Sequence, residues 1–247
     1  MSTKKWLILL SAVAVLCLAG AGVLGVCVGF GLHAVTLPVY KIDQTPSAHA
    51  GYLRTTITSG KEVYVNDYEE AALRLANVEP PQPIGSMGMP GNTGVRVIPG
   101  QPVTAYIAGD EGSEMPAYTP FRRVDHPTFN WRTASFREMM CTVPVQGSPV
   151  LKTTDSALMS EVVRLLRDGT PVNLSAFPMS GAPNVSTLNL TSDELPGLFF
   201  CPSVRTDASG TFYVAESLML VPNAAPPQFQ ARWIPASPTL TRWLQSR

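Results

Sequence analysis

The chain has 247 residues, with 18 basic and 18 acidic side chains for a formal charge of zero, 23 prolines and 19 glycines. That balance argues against the basic footprint of a nucleic-acid-binding protein, and no nucleic-acid partner is expected. Charged residues make up 15%, against about 25% in ordinary globular domains. A body so rich in Pro, Gly, Ser and Thr reads as loop-heavy and extracytoplasmic rather than as a cytosolic enzyme.

The N-terminus is basic, with Lys4 and Lys5, and no charged side chain follows between Trp6 and Tyr40. As a helix, Trp6 to Leu32 would be about 40 Å long, enough to cross a hydrocarbon core of about 30 Å with tilt to spare. Ala19-Gly20-Ala21 looks like a signal-peptidase site. However, the apolar run continues through Val23, Leu24, Val26, Val28 and Phe30, and a cut there would leave an apolar new end. The expectation is therefore an uncleaved signal anchor: a single-pass membrane protein, N-terminus in the cytoplasm and the rest outside, in the periplasm if the source is bacterial.

Within the anchor, Cys17, Ala21, Gly25 and Gly29 repeat every fourth residue and line up as one ridge of small side chains. Gly25 to Gly29 is a GxxxG, the pattern that lets a second helix backbone come close. The expected partners are other integral membrane proteins of a multi-subunit complex, along with the bilayer itself. His33 continues the ridge and reads as an interfacial histidine rather than a pigment or haem ligand.

Residues 1–40 thus form a cytoplasmic tip and anchor. Residues 41–78 predict a hairpin and a short helix. Tyr52–Thr58 and Lys61–Val65 flank a Ser59-Gly60 turn, and Asn66 with Glu69 resembles a capping box opening a helix from Asp67 to Asn77. Glu79-Pro-Pro-Gln-Pro83 closes that helix. Residues 79–130 then read as a Pro/Gly-rich extended arm with short β-prone pieces at 95–98 and 103–107. Between Ile84 and Ala108 its only charge is Arg96. Met87, Met89, Val97, Ile98 and Tyr106 would be its partner-facing residues, since disordered linkers are usually charged and poor in apolar side chains. A loop packed on its own domain is the equal alternative.

Residues 131–247 predict an α+β domain. Strands are expected at 138–145, 172–177, 198–204 and 211–221. One helix runs from a Thr154 or Asp155 cap to Gly169, with Leu158, Val162, Leu165 and Leu166 inward. A second opens at Ser237-Pro238 and runs through Trp243. The fold class is therefore α+β: a single N-terminal transmembrane helix, then a loop-rich, mainly antiparallel sheet domain with a few short helices.

Cys141 and Cys201 are the two cysteines of the outer part. A disulfide between them would stabilise by about 4 kcal/mol, the alternative being two buried thiols. Asn173, Asn184 and Asn189 each open an N-glycosylation sequon. No motif for nucleophilic, metal, phosphate or dinucleotide chemistry is present, so no catalytic residue, cofactor or metal is expected. Asp125-His126 reads as a surface turn rather than a dyad. Arg122 and Arg123 are weak as an anion site. Asp110, Glu111 and Glu114 lack the spacing of a Ca²⁺ loop. Together these features lead to a non-catalytic accessory subunit stabilising a larger membrane complex (respiratory, photosynthetic, secretion or envelope). The alternative is an anchored extracytoplasmic binding domain or surface glycoprotein acting on its own.

Overall fold

The β-branched runs after Lys41 pair with one another in an order the chain does not follow. The computed structural model describes residues 37–49, 52–76, 82–86, 94–110, 118–142, 151–174, 177–178, 185–220 and 228–246. Strands β1 (Lys41–Pro46), β2 (Leu53–Ser59) and β3 (Glu62–Asn66) are antiparallel neighbours. The β2–β3 turn is Gly60-Lys61, one residue later than expected, with Ser59 opposite Glu62 and Gly60 at φ +60°, a conformation glycine adopts without steric cost. After β4 (Leu73–Leu75), strands β5 (Pro83–Ser86), β6 (Gly94–Val97), β7 (Tyr106–Asp110) and β8 (Tyr118–Arg123) form an antiparallel meander. β8 docks on β3, so the sheet order is β1-β2-β3-β8-β7-β6-β5.

The two ends of this sheet meet. Val39, just before β1, makes a parallel bridge to Ser86 of β5, and the Tyr40 N–H donates to the Ser86 carbonyl at 2.7 Å. The seven strands therefore curl into a small barrel closed at this one bridge. Tyr40, Ile57, Tyr64, Val95, Ile107 and Phe121 are buried together, with Ile42 and Ile84 packed against them.

This overturns the expected arm. Four of the seven strands come from residues 83–123, and Ile98 and Tyr106 are 0% and 2% exposed. Val97 is half-buried in β6, and Met87 and Met89 lie outside the described residues. The reason is visible along β7. Ile107 belongs to the barrel cluster, while its neighbours Tyr106 and Ala108 belong to a second, larger core. A strand with a core on each face carries apolar side chains on both, so the lack of charge marks an internal wall.

The second sheet contains β9 (Glu138–Thr142), β10 (Leu151–Thr153), β12 (Val185–Thr191), β13 (Leu198–Phe200), β14 (Ser203–Thr206), β15 (Phe212–Ala215) and β18 (Ile234–Pro235). Its order is β10-β9-β12-β14-β15-β18, with β13 joining β12 to β4. A three-stranded sheet comprises β11 (Phe177–Pro178), β17 (Gln228–Gln230) and β16 (Met219–Leu220), in that order. Helix α1 (Ser156–Asp168) is capped by Asp155, whose carboxylate accepts from the N–H of Ala157 at 2.9 Å and of Leu158 at 3.3 Å, and it ends at Gly169. Helix α2 (Pro238–Gln245) is capped by Ser237, whose hydroxyl accepts from Leu240 N–H at 3.1 Å. Leu158, Met159, Val162 and Leu166 of α1, with Leu240 and Leu244 of α2, cover Met139, Leu188, Leu190, Val204 and Val214 of the sheet. The domain is thus a mainly antiparallel β structure with two helices among the described residues, consistent with α+β.

The barrel and the second sheet interlock through two turns. The Gln101 side-chain amide donates to the Pro196 carbonyl at 2.9 Å, and Ala76 N–H donates to the Gly197 carbonyl at 2.9 Å. Gly100 and Gly197 face this seam at φ +85° and +75°.

Two further expectations fail. The helix from Asp67 to Asn77 is a set of turns over 67–72 followed by β4. Glu70 is drawn inward to Arg122 at 2.5 Å, its second oxygen accepts Asp67 N–H at 3.1 Å, and Leu73 pairs with Phe200. Tertiary pairing outweighs local helix propensity here. The disulfide is also absent: Cys141 and Cys201 are both buried thiols. Cys141 lies opposite Leu188 and shares its face, whereas the Cys201 thiol donates to the Asn189 Oδ1 at 3.2 Å. Leu188 and Asn189 alternate on β12, so the two sulfurs lie on opposite faces of the sheet. Burial pushes the Cys201 thiol up to about 12, which keeps it protonated and unreactive. The even cysteine count therefore carries no argument about compartment.

The anchor, its ridge of Cys17, Ala21, Gly25 and Gly29, and His33 lie outside the described residues; among those described, no helix is long and apolar enough to cross a membrane.

Candidate functional site

Glu216 is the only acidic residue after Asp207, and it directly follows the buried end of β15. Its Oε2 accepts from the Tyr68 hydroxyl at 3.0 Å and its Oε1 from the Trp131 indole N–H at 2.8 Å. The Arg132 guanidinium stands 3.7 Å away and lies over the Trp131 ring, 4.3 Å from its centroid. Two remote segments, at Tyr68 and at Trp131-Arg132, thus converge on one carboxylate.

Tyr68, from the turns before β4, is the centre of an aromatic group. The His49 imidazole stacks on it with centroids 4.2 Å apart and planes at 23°, and Tyr52 meets it edge-on at 5.0 Å. The Tyr52 hydroxyl is hydrogen-bonded to Ser217 Oγ. These groups, with Leu166 of α1, Arg232 and Ile234, line a cavity of about 310 Å³, at the small end of the range for small-molecule sites.

Burial, and then the nearby Glu216 carboxylate, push the Tyr68 phenol up to about 12. Burial also raises Tyr52, partly offset by its bond to Ser217. Both phenols therefore stay neutral donors. Ser217 is engaged with Tyr52, and His49 faces Glu69 at 3.8 Å. Among the described residues no hydrogen bond joins His49 to Ser217, so the pair is not an assembled nucleophile and base. The arrangement is one of donors, acceptors and ring faces around a small space, which suits recognition. Among those residues no group of three or more His, Cys, Asp or Glu converges on a metal position.

The features singled out in the sequence go elsewhere. Asp125 pairs with Arg123 at 2.8 Å rather than with His126, whose ring packs edge-on against Tyr106 at 5.7 Å. Arg122 is taken up by the buried Glu70 and by the His126 carbonyl at 2.6 Å. Asn173 is exposed, whereas Asn189 is half-buried in β12 with Cys201 on its amide oxygen. Asn184, Glu111 and Glu114 lie outside the described residues. Sequence reasoning passed over Tyr52, Tyr68, Glu216, Ser217 and Arg232, because the bonds that unite them span 165 and 148 residues. The one local signal was Glu216 itself, a single acid in an otherwise acid-free C-terminal stretch.

No protein-family model, curated protein or solved structure matches the chain.

Glu216→Ala is expected to leave the Trp131 N–H and the Tyr68 hydroxyl without their acceptor. Each orphaned donor costs about 1–3 kcal/mol, so urea unfolding should show a clear loss, while Glu216→Gln, which keeps an acceptor oxygen, should lose less. Equal losses would mean that the carboxylate does not organise the pocket.

Proposed function

We propose that the protein is a non-catalytic, single-pass membrane accessory subunit that stabilises a larger membrane assembly. The chain anchors through residues 6–32, with the N-terminus in the cytoplasm, and presents the barrel and second sheet on the extracytoplasmic side. The observation that carries the reading is the state of the pocket: the Glu216 carboxylate and the Ser217 hydroxyl are bonded to neighbours, and among the described residues no base is positioned on the serine. Such a constellation supports a role in holding rather than in chemistry. The ridge of Cys17, Ala21, Gly25 and Gly29 supports a helix-packing contact within the bilayer. Ile98 and Tyr106 do not support an arm contact, since both are buried inside the domain.

Purification in mild detergent tests this reading. The expected result is a stoichiometric complex with other integral membrane proteins. Gly25→Leu with Gly29→Leu should leave insertion intact, because leucine is the more apolar residue, yet release the partners. A lone monomer from native membranes would instead favour the second reading, an anchored binding domain acting alone, for which the 310 Å³ cavity speaks.

A further inference from the structure

Two oppositely charged side chains line the Tyr68 cavity, the Glu216 carboxylate and the Arg232 guanidinium. Glu216 accepts two hydrogen bonds and has Arg132 nearby, and His49 faces Glu69. Arg232 lines the same cavity, is exposed, and has no ion pair or hydrogen bond among the described residues. Of these two lining charges, the guanidinium is therefore the one without a partner among the described residues. Beside it, Tyr52 and Ser217 hold two hydroxyl protons, of which their mutual bond uses one, so a second remains for a ligand acceptor. Tyr68, Leu166 and Ile234 supply the apolar part of the wall.

We propose that this cavity binds a small organic monocarboxylate, with its carboxylate on Arg232 and the Tyr52–Ser217 hydroxyl pair and its apolar body against Leu166, Ile234 and the Tyr68 ring. A guanidinium matches a carboxylate with two parallel hydrogen bonds. A single guanidinium, with the Glu216 carboxylate in the same lining, suits one negative charge rather than the two of a phosphate monoester. The cavity volume suits a body of a few carbons. The assignment rests on reading the pocket as a recognition site and is independent of which assembly the protein joins.

The test uses the full chain in mild detergent and three probes of equal shape: 4-methylpentanoate, 4-methylpentanamide and 4-methylpentylamine. Titration calorimetry should detect the carboxylate, with the neutral amide and the cationic amine each weaker by roughly tenfold or more. Arg232→Gln, a surface change that should not affect folding, should reduce the carboxylate to the level of the amide, and Arg232→Lys should restore part of the difference. Equal binding of acid and amide, preference for the amine, or indifference to Arg232→Gln would each overturn the anion assignment while leaving a recognition pocket. No binding by any probe would overturn the small-ligand site itself. Co-purification of the assembly reads out separately in every case.

Discussion

Arg122→Ala should be among the most destabilising single substitutions, with a loss of about 3–5 kcal/mol and a fall in melting temperature on the order of 10 °C. Glu70 is 1% exposed and Arg122 is its cation at 2.5 Å. The guanidinium also donates to the carbonyls of Arg123 at 3.2 Å and His126 at 2.6 Å, so one side chain ties the turns before β4 to the end of β8. Burial already pushes the Glu70 carboxyl above its usual range, against the lowering effect of Arg122. Removing the cation leaves burial less opposed and raises it further. A carboxyl whose folded pKa is raised contributes most below its unfolded value and loses that contribution as pH climbs through the folded one. The deficit of Arg122→Ala relative to wild type should therefore be smallest at acidic pH, where Glu70 is protonated, and should grow towards neutrality. Adding Glu70→Gln should remove most of that pH dependence. A deficit that is flat with pH would show that the lost carbonyl contacts, not the stranded charge, set the cost.

Gly197→Ala is expected to cost about 3 kcal/mol or more. The left-handed backbone at φ +75° accounts for about 1–2 kcal/mol, and the rest comes from the seam. A Cβ there would drive into the Pro99 carbonyl oxygen and stand 3.0 Å from Ile98 Cγ2, both on the tight turn after β6. Gly60→Ala is the control, since φ is +60° but nothing lies within 4 Å of the added carbon, so only the backbone cost should appear. Denaturant unfolding of the two variants should separate conformational strain from collision. Equal losses would mean that the seam relaxes around a methyl group and does not hold the two halves in register.

The elements legible in the sequence were those whose signals are local. Asp155 and Ser237 as caps, the helical spacing of Leu158, Val162 and Leu166, and the β-branched runs around Gly60 each specify structure within a few residues, and all form, the hairpin turn one residue later than expected. What escaped depends on distant partners. β12 lay hidden under two sequons because its alternation of Ser186, Leu188 and Leu190 with Thr187 and Asn189 is polar enough to pass for a loop. The segment 83–123 had the right β-prone pieces, but its missing charge has the same appearance whether the apolar faces meet another protein or two cores of the same domain. Asp67–Ala76 carried a fair helix-start signal, which the pull of Arg122 on Glu70 and the pairing of β4 with β13 outweighed. The pocket was illegible for the same reason, since Tyr52, Tyr68 and Glu216 become neighbours only once the barrel is set beside the second sheet.

The barrel's point of closure also determines how the domain meets force. A pull on the chain from its N-terminal side reaches Val39 and Tyr40 before any other part of the barrel. There, among the described residues, the load falls on the bridge to Ser86, which includes the N–H···O bond of 2.7 Å from Tyr40. Behind it, β1 is held to β2 over six paired positions, from Lys41 with Thr58 to Pro46 with Leu53. The closure thus has far fewer backbone pairings than the β1–β2 hairpin behind it. Because Tyr40 is itself a buried member of the barrel core, tension at this point bears on the closure and on that core together.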